Sequence, residues 1–247
     1  MGGLPKLDPA ISAQSNEPGD SDTRSRILTV ARALFVVRGY ESTGVAEIAR
    51  QAGITPGALY WHFKSKEEIL ATVLEEGLAE FDASISTSLT GDSPSVRLYQ
   101  LVRAHVLFQL SGFGANDVLA TNFVIAQLAE RLSASAKQRV NRHLRAHLNL
   151  VEEIIQEGVD ANEFEVHQLS ITALAVINLA EYTVTWFRTD GPLQPAEVAH
   201  IYGLLALGMV GAKAYSAIDH LGESGALTEV QAMPIEDPTT DANKRVT

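Results

Sequence analysis

The sequence predicts an all-α protein, and three observations carry that prediction. The apolar residues between positions 22 and 219 recur at helical spacing, in segment after segment. No stretch sustains the period-2 alternation bounded by turn residues that marks a hairpin. Gly and Pro fall at the ends of the periodic segments, where they stop or start helices. With 247 residues, 46% of them apolar, the chain is long enough to bury a sizeable core. It has no cysteine, which excludes disulfides, thiolate metal sites and cysteine nucleophiles together.

Nine helices are expected in order. The first, 22–38, has Ile27, Ala31, Leu34 and Phe35 on one face and Gly39 just past its end. The second and third are short, 45–52 and 56–62. The fourth, from about 65 to 88, carries the stripe Ile69, Val73, Leu74, Leu78, Phe81 and Ile85, and Ser65 with Glu68 reads as a capping box. Pro94 opens the fifth, to about 111, and the sixth spans 115–132. The seventh, 134–159, has the stripe Val140, Leu144, Leu148, Val151, Ile155 and Val159. The eighth, 166–189, is stopped by Asp190, Gly191 and Pro192, and the ninth runs from Pro195 to about 219. Residues 1–21 and 220–247 are rich in Pro, Gly, Ser and Asp or Thr without apolar periodicity and read as flexible tails.

Charge divides this helical chain. Residues 22–66 hold seven Lys and Arg against three Asp and Glu, while the remainder holds twelve against twenty-seven. A basic module on an acidic body points to a local polyanion site confined to the first module. Within it, residues 43–63 read TGVAEIARQAGITPGALYWHF. Gly53, Ile54 and Thr55 join two short helices, giving a helix-turn-helix. Small or apolar Ile48, Ala49, Ala52, Ile54 and Leu59 stand where the helices cross. Thr55 is an N-cap type and Pro56 suits the first helical position, so the third helix has a pre-set start facing a phosphate or base edge.

This span resembles the DNA-binding domain of TetR/AcrR-type bacterial repressors. The resemblance rests on Thr55–Phe63, TPGALYWHF, followed by Lys64, Ser65, Lys66, Glu67 and Glu68, and it covers about 23–74. It implies a nine-helix TetR-like fold: a helix-turn-helix domain over 22–66, then a ligand-binding and dimerisation domain over 67–219. It implies double-stranded operator DNA as partner. Thr43, Thr55, Tyr60 and Lys66 match phosphate-contacting positions. Pro56, Gly57, Ala58, Trp61 and His62 are then the residues to meet bases; Ala58 and Trp61 depart from the residue types usual there. No Arg or Asn on the third helix offers a bidentate base pairing, so DNA shape contributes to readout. Leu59 and Phe63 read as core.

The body adds two expectations. The eighth and ninth helices are apolar around most of their circumference, which calls for a partner; a homodimer through a four-helix interface is the economical answer, and the resemblance implies the same dimer. Polar His105, Gln109, Asn122, Gln127, Asn178, Glu181 and Arg188 interrupt apolar helices and suit a mostly apolar pocket for a small hydrophobic effector. Their other reading is structural pairing. Residues 186–193, beginning at Trp186, with Ala129–Leu132, resemble the branch regulating fatty-acid and steroid breakdown, which implies an acyl-CoA effector. Arg131, Arg139, Arg142, Arg145 and Arg188 could then meet its phosphates or pair with surrounding acids. A non-CoA hydrophobic effector and ligand-independent DNA binding are the alternatives.

Other chemistry is not expected. Gly39–Gly44 matches half a phosphate-binding loop, but Val45 and Ala46 stand where Lys and a hydroxyl residue are required. His143 and His147, four apart on a helix, supply only two ligands, and no metal, cofactor or catalytic constellation is read. The most membrane-like segment, Ile201–Ile218, contains Lys213 and three glycines and reads as a buried helix or oligomer interface. Residues 1–20 show no secretory leader. The protein is expected to be a cytoplasmic, ligand-responsive repressor, neither an enzyme nor a membrane protein.

Overall fold

The computed structural model describes residues 20–110 and 128–213. Every regular element among them is helical: α1 (Asp20–Arg38), α2 (Val45–Gln51), α3 (Pro56–His62), α4 (Lys66–Ser88), α5 (Pro94–Leu110), α6 (Ala134–Asp160), α7 (Leu169–Glu181), the single turn α8 (Thr183–Trp186) and α9 (Pro195–Met209). Most of the expected sixth helix, with Asn122 and Gln127, and both tails lie outside the described residues.

Local chemistry sets most boundaries. Gly39 takes φ +79 and its N–H donates to the Phe35 carbonyl, closing α1. Ser133 caps α6 by accepting from Ala136 N–H at 3.4 Å. Ser65 caps α4, but Glu68 reaches back to the N–H of Lys64 rather than that of Ser65, one residue beyond the expected capping box. Reciprocal capping is built instead at α9, where Glu197 accepts from the Gln194 N–H at 2.8 Å.

Two expected helices come out shorter. The eighth of the sequence reading is broken into α7 and α8. The hydroxyls of Thr183 and Thr185 donate to the carbonyls of Ala180 and Tyr182, competing with the helical ladder, and the chain is extended at Phe187. The ninth stops at Met209 rather than near 219. Gly211 follows in a left-handed conformation, and the chain then bonds back to the loop after α6 through Lys213 N–H to Glu163 O.

The buried side chains form two clusters, and the division does not follow the expected boundary at 66. The first joins α1, α2 and α3 with the first three turns of α4 (Ile69 to Leu78) and, from far along the chain, Ala129, Leu132, Ala136 and Val140. The second joins Ile85 with α5, Val151, Ile154 and Ile155 of α6, and α7 and α9. α5 runs through its middle, with ten of its seventeen residues buried. Gly203 lets α9 lie against α5: a Cβ there would stand 2.5 Å from the Tyr99 ring.

One stretch among the described residues, Leu169–Trp186, is long and apolar enough to cross a membrane, and a third of it is buried. It lies in α7 and α8, not in the Ile201–Ile218 segment that the sequence singled out.

Candidate nucleic-acid interface and body cavities

The turn between α2 and α3 is built from a few atoms. Gly53 adopts φ +70, which turns the chain, and Ile54 N–H returns to Ala49 O at 3.0 Å. Thr55 accepts from Ala58 N–H at 3.1 Å, and Pro56 fills the first helical position. Ile48, Ala49, Ala52, Leu59 and Phe63 are fully buried beneath, as the sequence reading has them. They hold α3 by one narrow stripe, so its opposite face is open. There Trp61 is 91% exposed and Tyr60 52% exposed. An indole left almost wholly in water on a well-anchored helix is a marked exception to where large apolar groups settle. Pro56 and Gly57 are exposed beside them; Ala58 and His62 are half-buried.

Two expected phosphate contacts are placed otherwise. Thr43 is 1% exposed, and its hydroxyl donates to the carbonyls of Gly39 and Leu34. It braces the α1–α2 turn and does not face outward, which corrects the sequence reading. Lys66 is half-buried; its ammonium donates to the Tyr40 carbonyl at 2.9 Å and lies over the Tyr40 ring. Two of its three N–H bonds remain beyond that contact.

The arginines of the first module are largely paired within the protein. Arg24 pairs with Glu76 and lies over the Phe63 ring. Arg26 donates to the Ala52 carbonyl, capping the end of α2. Arg32 pairs with Glu80. Arg38, Arg50 and Gln51 converge on Glu47, and the hydrogen bonds from Arg50 and Gln51 hold its carboxyl down at about 2. Lys64 stands exposed beside α3.

The body residues divide. His105 and Glu181 are buried and meet at 3.1 Å, and Gln109 is buried near the same end of α5. Phe81 and His147 complete this group: ring centres lie 4.8 Å apart for Phe81–His105, 4.9 Å for Phe81–His147 and 5.3 Å for His105–His147. Burial, then the neighbouring His105, hold the His147 imidazole down at about 3, so it is uncharged at neutral pH. The other candidates lie apart from this group. Asn178 is exposed on α7. Trp186 stacks on Tyr202, and Arg188 is exposed and paired with Asp190 through two hydrogen bonds, the structural alternative of the sequence reading.

Two cavities accompany the site. One of about 540 Å³ lies between α1 and α4, beside Leu28, Val36, Arg32, Val73 and Glu80. The other, about 380 Å³, lies between α4 and α6, lined by Asp82, Ile85, Ser86, Leu89, Ala146, His147 and Leu150. None of the described ligand residues expected from sequence lines the second. The available signal was weak: small Ser86 and Ala146 interrupt apolar faces on two helices more than fifty residues apart. His143 and His147 do not converge. His143 takes Asp82 at 2.6 Å, while His147 turns to the buried rings.

Among the described residues, the exposed large apolar side chains of the body are Ile171 and Leu174 on α7, Tyr182 at its end, Trp186 on α8, and Ile201, Leu205 and Met209 along α9. Leu207, two residues past Leu205 and so on the opposite side of α9, is fully buried in the protomer's own core.

Comparison with known proteins agrees with this architecture. The sequence profile of bacterial regulatory proteins of the tetR family matches residues 27–73, and that of the tetracyclin repressor-like C-terminal domain matches 91–210. The HTH-type transcriptional repressor KstR2 of Mycolicibacterium smegmatis is 30% identical over 75% of this chain and 89% of its own length. The fatty acid metabolism regulator protein of Bacillus subtilis is 27% identical over 67% of this chain and 84% of its own. A tetR-family regulatory protein from Rhodococcus RHA1 superposes with a TM-score of 0.69 at 27% identity, covering 77% of this chain and 97% of that one. AibR, solved with isovaleryl coenzyme A and operator DNA, superposes with a TM-score of 0.67 at 21% identity, covering 77% and 99%, a likeness of fold alone.

Proposed function

This chain belongs to the TetR family of bacterial regulatory proteins, and on that premise we propose that it is a homodimeric, cytoplasmic repressor released from a palindromic operator by an acyl-CoA. The observation that carries the DNA half is the open face of α3: Tyr60 and Trp61 exposed on a helix whose start is capped by Thr55 and whose back is buried. Thr55, Tyr60 and Lys66 hold phosphates, while Pro56, Gly57, Ala58, Trp61 and His62 meet base edges. No catalytic role is assigned to any residue.

The dimer is supported by the apolar strips on α7 and α9, which together would be costly to leave in water. A two-fold axis there sets the two α3 helices roughly 34 Å apart, one turn of duplex. The effector class is supported by the kinship with a fatty acid metabolism regulator and by two free cations. Arg142 and Arg145 are exposed on α6 and form no ion pair among the described residues, so they serve the phosphates better than Arg188 does. The effector acts by preferring a head arrangement that does not fit the operator.

Genomic footprinting with the full chain supplies the operator. Fluorescence anisotropy of that duplex is then titrated with decanoyl-CoA, free CoA and decanoate. Release by decanoyl-CoA alone is the expected result; release by decanoate alone, or by none of the three, sinks the CoA reading.

A further inference from the structure

Each base pair presents its own groups in the major groove, and a protein reads them with matching chemistry. Arg or Lys takes guanine with paired donors, and Asn or Gln takes adenine. Thymine alone among the four DNA bases carries an apolar group on that edge, its 5-methyl. The side chains that a head leaves available therefore fix which bases it reads.

The polar readers of this head are engaged elsewhere. Residues 20–66 contain no Asn, and their one Gln, Gln51, donates to Glu47 at 2.8 Å. Arg50 donates to the same carboxylate twice, at 2.9 and 2.7 Å, and Arg38 pairs with it. Withdrawing these arginines to a base would leave the Glu47 carboxylate uncompensated in a module that faces phosphates. Arg24 and Arg32 are set against Glu76 and Glu80 of α4, and Arg26 donates to the Ala52 carbonyl. Lys64 and Lys66 stand past the C-terminal end of α3, whereas a recognition helix meets bases with its N-terminal residues.

What α3 presents instead is apolar. Gly57, Ala58 and Trp61 share one side of the helix, away from the fully buried Leu59. A Cβ at Gly57 would meet nothing nearer than Thr55 Oγ1 at 3.9 Å, so the backbone lies open there, and the exposed indole of Trp61 stands one turn further on. Setting an indole against a methyl removes apolar surface from water on both partners, which a hydrogen-bonding edge does not offer. We infer that α3 reads 5-methyl groups: each operator half-site sets a thymine against Trp61, and Trp61 determines that preference. This rests on the DNA-binding reading above and specifies the base chemistry that the same face selects. Uracil keeps every hydrogen-bonding group of thymine and lacks only the methyl, so it is disfavoured there. For the same reason 5-methylcytosine is preferred to cytosine at that place, and methylation of a pyrimidine sets affinity directly at this face.

The test uses the full chain and the operator identified by its own genomic footprint. Thymines at matching places in the two half-sites are replaced in turn by uracil, and binding is read by fluorescence anisotropy. Removing the methyl that faces Trp61 from both half-sites should weaken wild-type binding about tenfold, or about three- to fourfold per methyl. Uracil also changes duplex deformability, and Trp61→Ala separates the two effects. This variant alters an exposed residue and stays folded, as thermal denaturation will show, and it should bind the thymine and uracil duplexes within about twofold of each other. With a C·G pair at the sensitive place, the duplex carrying 5-methylcytosine should bind wild type about tenfold more tightly than the unmethylated one. A wild-type chain that binds the uracil duplexes as tightly as the thymine duplex at every position overturns the inference, while the DNA-binding reading survives. A uracil penalty that persists in full in Trp61→Ala belongs to duplex shape or to another residue, and overturns the role of Trp61. A chain that leaves no footprint removes the DNA-binding reading, and this inference with it.

Discussion

The ammonium of Lys66 donates to the carbonyl of Tyr40 at 2.9 Å and stands 4.2 Å from the centre of the Tyr40 ring. One side chain thereby fastens the first turn of α4 to the loop that follows α1. A cation over a ring contributes about 0.5–1 kcal/mol where water reaches it, and a hydrogen bond about 1 kcal/mol. Lys66→Met should therefore cost about 1–2 kcal/mol in urea denaturation, as well as weakening DNA binding. An unchanged midpoint would show that the contact is idle and that Lys66 serves phosphate alone.

Tyr60 and Trp61 separate DNA binding from stability. Both project from α3 into water, so Trp61→Ala and Tyr60→Phe should leave the unfolding free energy within about 0.5 kcal/mol of wild type. Operator affinity should fall about tenfold in each: Tyr60→Phe loses a hydrogen bond to a charged phosphate, about 1.5 kcal/mol or more, and Trp61→Ala loses the indole's contact with a base edge, about 1–3 kcal/mol. Neither change removes a cation, so the slope of log affinity against log salt should stay as in wild type. A loss of folding in Trp61→Ala would place the indole in the core after all.

The two leucines at 205 and 207 make opposite predictions. Leu205 lies on the exposed apolar strip of α9, and Leu207 is fully buried in the protomer. Leu205→Asp should give a folded monomer by light scattering, because a buried unpaired charge disfavours association. Leu207→Ala should keep the dimer and lose about 2–5 kcal/mol of stability, the usual cost of a core cavity. A dimeric Leu205→Asp protein would move the two-fold axis to another face.

His147 makes stability depend on pH in one direction. Its folded value, about 3, lies below the ordinary 6.5, because burial penalises the imidazolium. Between these values the unfolded chain binds the proton and the folded chain does not. Stability from this group is whole above about pH 7 and is lost as pH falls, by up to about 1.4 kcal/mol per unit. His147→Phe should remove that share. Comparing urea midpoints of wild type and variant at about pH 7 and pH 5, the gap should change by about 2 kcal/mol in favour of the variant. A gap that does not move with pH would mean that His147 is protonated, or solvated, in the folded protein.

Much of this protein was legible without coordinates, because the signals involved act over a few residues. Gly53, Thr55 and Pro56 set the helix-turn-helix by backbone conformation, a cap and a fixed φ, and the stripe Ile69–Ile85 set the inward face of α4 by helical period alone. Leu59 and Phe63 followed, as did the openness of Tyr60 and Trp61, because a seven-residue helix has room for one buried stripe. What tertiary structure decided lay in pairings between distant residues. Thr43 has a chemistry that suits phosphate, and only the return of α1 beneath it buries its hydroxyl. Arg24 and Arg32 count toward the basic charge of residues 22–66, and only the fold sets Glu76 and Glu80, about fifty residues on, against them. Arg131 finds Glu41 ninety residues away. The cavity between α4 and α6 has no local signature, since it is the space left where Ser86 and Ala146 fail to fill the gap between two rods whose spacing is set at their ends. Period and capping are properties of a segment, whereas burial, ion pairing and empty volume belong to the packing of segments against each other.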